Sequence, residues 1–144
     1  MRNGYIVSSG AYLPGSPIKT DEVEDYLGLV NGKRCPLKKR VLKSNGIETR
    51  HYALNKEQAV THSVEGIGSQ AAQQCLDRSG LLPEEISMLT SATSQGDLAL
   101  PGLASMLHGA LELPACELMS AHGICSSGMM ALKSAVNGVR LGEH

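Results

Sequence analysis

The sequence contains neither phenylalanine nor tryptophan, and its four tyrosines all lie within the first 52 residues. The hydrophobic core must therefore be built from Leu, Ile, Val, Met and Ala. Acidic and basic side chains nearly cancel to a formal net charge of −1, which argues against a dedicated nucleic-acid binder. No apolar run approaches the length of a membrane span, and the apolar stretch after Tyr5 is too short for a signal peptide. These absences predict a cytoplasmic protein without a nucleic-acid or membrane partner.

The 144 residues include 42% hydrophobic side chains and 16 glycines. Such a chain can bury a core of its own, and its glycines indicate tight turns and close backbone approaches rather than disorder. The four cysteines, Cys35, Cys75, Cys116 and Cys125, are widely scattered in a chain that is large enough to need no disulfides. We therefore expect all four to be reduced thiols.

The first part of the chain predicts short elements separated by turns. Residues 5–13 have the composition of an opening strand, which ends at a Pro-Gly pair. Thr20 is placed to cap a short helix whose first turn is acidic. Cys35-Pro36 marks a break within the polar and basic stretch 31–44, and Gly46 is typical of the residue just past a helix end.

From residue 64 onward, helices and strands alternate. The pattern predicts a helix over residues 64–76 capped by Gly80, a helical turn at 83–86 and a strand over 87–93. A second helix is predicted to open with Pro101 and to bury Ala104, Leu107 and Leu111. A strand over 117–120 and a last helix that ends at Gly142 follow. The last helix is expected to bury one apolar side, formed by Met129, Leu132, Val136 and Val139. This alternation predicts parallel strands and an α/β fold. Since a crossover helix normally leads to another strand, we expect the sequence to be a piece of a longer one.

The stretch from Met119 to Leu132 is the sharpest local feature, because a strand there turns tightly into a helix with Cys125 at the junction. Free backbone N–H groups and the helix dipole stabilise negative charge at a helix start. A thiol in that position loses its proton more readily and becomes a better nucleophile. The small residues Ser126, Ser127 and Gly128 would let an acyl chain approach the sulfur. A cysteine in an apolar helix is otherwise commonly a core residue, so spacing alone leaves both roles open.

Four stretches follow one another in the order found in a known family. They are residues 5–14, residues 45–51 (Asn-Gly-Ile-Glu-Thr-Arg-His), residues 90–94 with Leu100-Pro101 after them, and Cys125-Ser126-Ser127-Gly128. In this order they resemble the N-terminal half of β-ketoacyl-acyl-carrier-protein synthase III, a condensing enzyme of the thiolase superfamily. The resemblance extends over nearly the whole chain.

The resemblance implies both a fold and a reaction. Residues 1–144 would form the N-terminal half of a thiolase-like fold, a mainly parallel sheet with crossover helices in a duplicated α-β-α-β-α architecture. Cys125 would be the nucleophile that accepts an acyl group from a thioester. The acyl-enzyme then condenses with the carbanion of a decarboxylated malonyl-type thioester, as in fatty acid or polyketide biosynthesis. No permanently bound cofactor and no metal are implied.

The resemblance also places part of the machinery outside this chain. The His and Asn that assist the condensation come from the second half of the fold. No histidine of this sequence matches that His; they are His51, His62, His108, His122 and His144. We therefore expect this segment alone to be inactive.

The donor and the dimer follow from the same resemblance. Family members that load from coenzyme A commonly hold its adenine with a Trp and an Arg just before the Gly-Ile-x-x-Arg-His segment. This sequence has no Trp, and Ser44 lies near the expected Arg, so the donor stays open between coenzyme A and an acyl carrier protein. A homodimer through the N-terminal half is implied. Leu100 would either line the partner's acyl tunnel or be buried in its own core.

Two alternatives to this function stay open. The chain could come from another enzyme of the superfamily, such as a thiolase, a hydroxymethylglutaryl-CoA synthase or an enzyme of the chalcone-synthase type. It could also come from a non-catalytic subunit that only shapes the pocket of an active synthase. The position of Cys125 at a helix start speaks against the second alternative.

Three weaker patterns have simpler interpretations. Residues 66–71 fit the dinucleotide pattern G-x-G-x-x-A, but no strand precedes them, which favours close helix packing. His122 and Cys125 have a metal-ligand spacing without further ligands nearby, so we expect His122 to shape the turn instead. A basic cluster fits either a solvated face or a surface for phosphopantetheine or an acidic carrier protein; its members are Lys33, Arg34, Lys38, Lys39, Arg40 and Lys43.

Overall fold

The computed structural model describes residues 2–144, which divide into two compact units. The first, called the insert, is the continuous stretch Leu13–Ser63. The second, called the Cys125 unit, combines the described residues up to Tyr12 with Val64–His144. Both units contain buried apolar side chains, for example Ile18 in the insert and Ala104 in the Cys125 unit.

Two short helices and a two-stranded sheet make up the insert. Its elements are β1 (Ile18–Lys19), α1 (Val23–Leu27), α2 (Lys38–Ser44) and β2 (Thr49–Arg50). The strands pair antiparallel, with Ile18 opposite Arg50. The rings of Tyr26 and Tyr52 lie 6.3 Å apart, and the Lys56 ammonium lies 5.7 Å from the centre of the Tyr26 ring. Tyrosine therefore supplies aromatic packing within this unit of a chain that lacks Phe and Trp.

The predicted cap of α1 is wrong. The helix begins after Glu22, and no side-chain capping bond is made at that end. The Thr20 hydroxyl instead donates to the Glu48 carbonyl, at 3.4 Å, while the Glu22 carboxylate accepts from the Lys19 backbone N–H at 3.0 Å. Thr20 lies too far before the first helical residue to reach its free amides, so its hydroxyl bonds to the segment beside β2.

The predicted end of α2 is confirmed. Gly46 has φ +66°, in the left-handed region. Its N–H donates to the Lys43 carbonyl, and the N–H of Ile47 donates to the Leu42 carbonyl, both at 3.2 Å. This pair of bonds is the Schellman motif, which satisfies the last carbonyls of a helix and favours glycine at the left-handed position.

Glu24 of α1 joins α2 and the loop before it. Its carboxylate accepts from the Cys35 backbone N–H at 2.6 Å and from Lys38 Nζ at 3.0 Å, and Arg34 lies 3.5 Å away. The hydrogen bond from Cys35, and after it the one from Lys38, lowers the pKa of Glu24. Two members of the basic cluster, Arg34 and Lys38, therefore pair with a carboxylate of the insert itself.

Helices and strands alternate in the Cys125 unit, as predicted. Its elements are α3 (Val64–Ser79), β3 (Met88–Ala92), α4 (Leu103–Ala110), β4 (Glu117–Ala121) and α5 (Ser127–Leu141), with 3₁₀ turns at Pro83–Glu85 and Ile124–Ser126. Strands β3 and β4 pair in parallel from Met88 opposite Glu117 to Ala92 opposite Ala121. Within residues 2–144, none of the helices combines the length and apolar character that a membrane crossing would require.

Helix α4 lies at the centre of the buried apolar residues of this unit. Leu103, Ala104 and Leu107 are buried, and α4 packs against α3, β3 and β4. A Cβ added at Gly68 of α3 would lie 2.9 Å from a Leu107 methyl carbon, which confirms that the G-x-G-x-x-A stretch serves close helix packing. The prediction that α4 opens with Pro101 is wrong, because Gly102 is the N-cap and the helix begins at Leu103.

The predicted opening strand is absent. Residues 2–14 form no strand, and three contacts hold part of this segment against α3. The Ser8 hydroxyl donates to the Cys75 carbonyl at 2.9 Å, the Arg78 guanidinium donates to the Ser9 carbonyl at 3.0 Å, and Gly10 lies against the α3 backbone. A strand needs a neighbouring strand to pair its backbone groups, whereas Ser8 and Ser9 form hydrogen bonds with helix α3. Its apolar residues Tyr5 and Ile6 are at least 80% exposed.

The predicted buried side of α5 is also wrong. Small residues form the side that packs on β3 and β4, with Ser127, Ala131 and Gly138 buried. They lie within about 40° of one another on a helix that turns 100° per residue. The large apolar side chains are turned away from this stripe, and Met129, Leu132 and Val136 are exposed. The close approach that small side chains permit has decided which side faces the sheet.

Candidate active site

Cys125 lies where the sequence places it, between a strand and a helix. Strand β4 ends at Ala121, the 3₁₀ turn Ile124–Ser126 carries the cysteine, and α5 begins at Ser127. The thiol belongs to an exposed residue. The local requirement for a reactive thiol, a solvent-accessible sulfur at a helix start, is therefore met in this unit.

Two serines fasten the turn that carries Cys125. The Gly123 carbonyl accepts from the Ser126 hydroxyl at 2.9 Å and from the Ser126 N–H at 3.2 Å. The Ile124 carbonyl accepts from the Ser127 hydroxyl at 2.8 Å and also from the Ser127 N–H. The sequence suggested only that these serines are small. Their hydroxyl contacts could not be read from it, because serine pairs occur in many turns without such bonds.

Ile124, directly before the cysteine, has a strained backbone. Its φ is +50°, in the left-handed region. A β-branched side chain is rarely found there, and the conformation costs on the order of 1–3 kcal/mol. Surrounding contacts must therefore hold this turn, and such strain is known to concentrate where a fold presents a functional group.

The first turn of α5 is open to a negative charge. It has no acidic residue and no side-chain capping bond. The free N–H groups of a fifteen-residue helix therefore keep their partial positive charge next to the turn. Such donors can stabilise a thiolate or the oxyanion formed when a thioester is attacked.

No general base is joined to Cys125 by a hydrogen bond anywhere in residues 2–144. Several histidine rings make bonds elsewhere: His51 to the Pro14 and Gly15 carbonyls, His62 to the Thr61 hydroxyl, His108 to the Pro114 carbonyl, and His144 to the Glu117 carboxylate. His122 is exposed, and the turn it was expected to shape is fastened by Ser126 and Ser127. The described residues thus place no hydrogen-bonded base on the Cys125 thiol.

The other cysteines differ from Cys125 in setting. All four are free thiols, as predicted. Cys75 and Cys116 are half-buried, and the Cys75 sulfur lies 3.1 Å from the Ser8 hydroxyl oxygen. Cys35 is exposed, but it lies in a loop of the insert rather than at a helix start. Within residues 2–144, no group of three or more His, Cys, Asp or Glu side chains could hold a metal ion.

Leu100 lies on an exposed loop between β3 and α4. It is 83% exposed, so burial in its own core is excluded for this chain. Asp97, on the same loop, accepts hydrogen bonds from the backbone N–H groups of Val64 and Glu65, both at 2.8 Å. This carboxylate ties the loop to the start of α3. Sequence reasoning missed it, because the partners lie more than thirty residues apart.

The basic cluster lines a shallow part of the insert surface. Lys39 and Lys43 border a depression of about 290 Å³, together with Thr20, Asp21, Ile47 and Glu48. The two acids on its rim offset the charge of the two lysines.

Known proteins with a similar sequence belong to the group that the sequence resembles. A β-ketoacyl-[acyl-carrier-protein] synthase III of Cereibacter sphaeroides is 28% identical over 134 residues, which are 93% of this chain and 38% of that protein. The predicted resemblance is confirmed. No family model matches the chain. The chain spans about two-fifths of the length of the curated relatives that it matches.

Solved structures confirm the fold. A tetronic acid condensing enzyme, AbyA1, superposes with a TM-score of 0.78 at 23% identity, over 94% of this chain and 40% of that one. The 3-oxoacyl-[acyl-carrier-protein] synthase III of Aquifex aeolicus gives 0.77 at 22% identity, over 95% and 40%. At this level of identity the likeness shows the fold alone. The fold is that of the N-terminal half of a thiolase-like condensing enzyme.

Proposed function

We propose that Cys125 accepts an acyl group from a thioester, as the nucleophile of a condensing enzyme whose N-terminal half is this chain. The observation that carries the proposal is the exposed Cys125 thiol at the open start of α5, within a fold shared with condensing enzymes. No other described cysteine combines exposure with a helix start.

In the loading step, the Cys125 thiolate attacks the carbonyl carbon of the acyl thioester. Backbone N–H groups at the start of α5 stabilise the oxyanion that forms. The new bond joins the Cys125 sulfur to the acyl carbon, and the bond from that carbon to the donor sulfur breaks. The donor leaves as a thiol and takes the proton that Cys125 gave up.

In the condensing step, performed by the whole protein, a malonyl-type thioester loses carbon dioxide. The resulting carbanion attacks the acyl carbon, and the Cys125 thiolate leaves. The His and Asn that assist this step lie outside residues 1–144, in the second half of the fold. The product class is a 3-oxoacyl thioester, as in fatty acid or polyketide biosynthesis.

The partners in this proposal are an acyl carrier protein or coenzyme A as donor, and a second copy of the protein. The absence of Trp and the presence of Ser44 near the expected Arg favour a donor other than coenzyme A. The exposed Leu100 is free to enter a partner's acyl tunnel in a homodimer. The protein acts in the cytoplasm.

Acylation of Cys125 is the direct test. The full-length protein is incubated with acyl-coenzyme A and, separately, with acyl-acyl carrier protein, and the modified peptide is identified by mass spectrometry. We expect one acyl adduct on Cys125, which Cys125→Ser abolishes. Cys35→Ser is the matched control, because Cys35 is also exposed and should leave the adduct unchanged.

A protein that forms no adduct with any donor, or forms it on Cys35, contradicts the proposal. The first of these results would favour the alternative of a non-catalytic subunit that pairs with an active synthase. Comparing the two donors also decides which thioester loads the site.

A further inference from the structure

The turn at Gly123–Ser127 contains two copies of the same contact. In each copy, a serine hydroxyl and the serine's own N–H both donate to the carbonyl three residues earlier. The hydroxyl bonds, at 2.9 and 2.8 Å, have the ordinary length of an O–H···O hydrogen bond. One copy holds Gly123 and the other holds Ile124, so the two bracket Cys125.

From this geometry we infer that Ser126 and Ser127 are positioning residues, whose hydroxyls hold the strained turn that keeps the Cys125 thiol exposed at the start of α5. The inference rests on the proposed role of Cys125 as a nucleophile. A single 3₁₀ turn is weak by itself, and Ile124 in the left-handed region opposes it. The hydroxyl bonds supply the opposing restraint.

The direction of these bonds separates positioning from ordinary helix capping. A capping serine would accept a hydrogen bond from a free N–H in the first turn of the helix. Here neither the 3₁₀ turn nor α5 has a side-chain capping bond, and both hydroxyls donate backwards to carbonyls. Neither hydroxyl therefore occupies an N–H group in the first turn of α5.

The same bonds also offset negative charge on the carbonyls of the two residues that precede Cys125. Carbonyl oxygens carry partial negative charge and would oppose a thiolate beside them. Because the Gly123 and Ile124 oxygens each accept two hydrogen bonds, part of that charge is offset. Loss of either hydroxyl should thus lower thiol reactivity as well as loosen the turn.

The test measures the rate at which iodoacetamide alkylates Cys125 across a pH series, in the full-length protein, with the peptide identified by mass spectrometry. We expect Ser126→Ala and Ser127→Ala each to lower the rate about three- to tenfold near neutral pH. Ser126→Thr, which retains the hydroxyl at an exposed position, should restore the wild-type rate. Ser134→Ala, the same change further along α5, is the matched control and should leave the rate unchanged.

A second comparison tests the link to strain. Glycine adopts the left-handed region without cost, so Ile124→Gly removes the strain that the hydroxyls oppose. In the Ile124→Gly background, the effect of Ser127→Ala should shrink to within about twofold. An effect of undiminished size would contradict a restraint on strain.

Failure of this inference can be distinguished from failure of the proposed function, because alkylation of Cys125 needs no acyl donor. Ser126→Ala and Ser127→Ala variants that fold and keep the wild-type pH–rate profile would overturn the inference even if Cys125 is acylated normally. Should Ser127→Ala fail to fold, since Ser127 is only 4% exposed, the comparison of Ser126→Ala with Ser126→Thr decides by itself.

Discussion

Removal of the Asp97 carboxylate should destabilise the Cys125 unit measurably. Asp97 accepts from the backbone N–H groups of Val64 and Glu65 at the start of α3, both at 2.8 Å. Loss of a capping acceptor costs about 0.5–2 kcal/mol, and loss of a negative charge at a helix start costs about 0.3–1 kcal/mol. Since the residue is exposed and water can replace part of the bonding, we expect Asp97→Ala to lower the free energy of unfolding by about 1–2 kcal/mol.

Urea denaturation followed by helical circular dichroism measures this loss, and thermal unfolding should shift by about 3–8 °C. Asp97→Asn keeps one acceptor oxygen and should lose about half as much. Asp77→Ala is the matched control, because Asp77 lies on the same helix and accepts only from the Gln73 side chain. If Asp97→Ala stays within about 0.3 kcal/mol of the wild type, or equals Asp77→Ala, the carboxylate does not hold the loop.

Two further predictions concern packing and pH. Gly10→Ala should lower the free energy of unfolding, measured by urea denaturation, by about 1–3 kcal/mol, because its Cβ would overlap the Ala71 carbonyl oxygen. Gly109→Ala is the control and should be neutral or stabilising, because a Cβ there has no neighbour within 4 Å. Equal effects of the two substitutions would refute the packing argument. The pKa of Glu24 is lower in the folded chain than in the unfolded one, so its stabilising contribution is present at neutral pH and is lost as the pH falls below about 4. Unfolding curves of wild type and Glu24→Gln should therefore differ at pH 7 and converge in acid; a difference independent of pH would contradict this.

The turn at Gly123–Ser127 has features that could be predicted from the sequence and features that could not. The position of Cys125 between a strand and a helix followed from the change in apolar period and from the small residues after it. The hydrogen bonds of Ser126 and Ser127 and the left-handed Ile124 did not, since they depend on how a short turn closes. A β-branched residue would not be predicted at a positive φ from any local preference.

Elements with a strong local period or cap were determined by the sequence alone. The helical period of α3, the extended segments that form β3 and β4, and the end of α2 just before Gly46 each depend on residues close to one another in the chain. The spacing of apolar residues and the preference of glycine for a left-handed helix end both depend on a few neighbouring residues, so they can be predicted from a single sequence.

Features that depend on what an element packs against were decided only by the tertiary structure. Residues 5–13 have strand composition, yet they lie against α3 and form no ladder. Helix α5 turns Ala131 and Gly138 to the sheet and leaves Met129 exposed, because small side chains allow a closer approach than large ones. The composition of a segment indicates whether it can form a helix or strand with an apolar side. The elements that it packs against determine which side is buried.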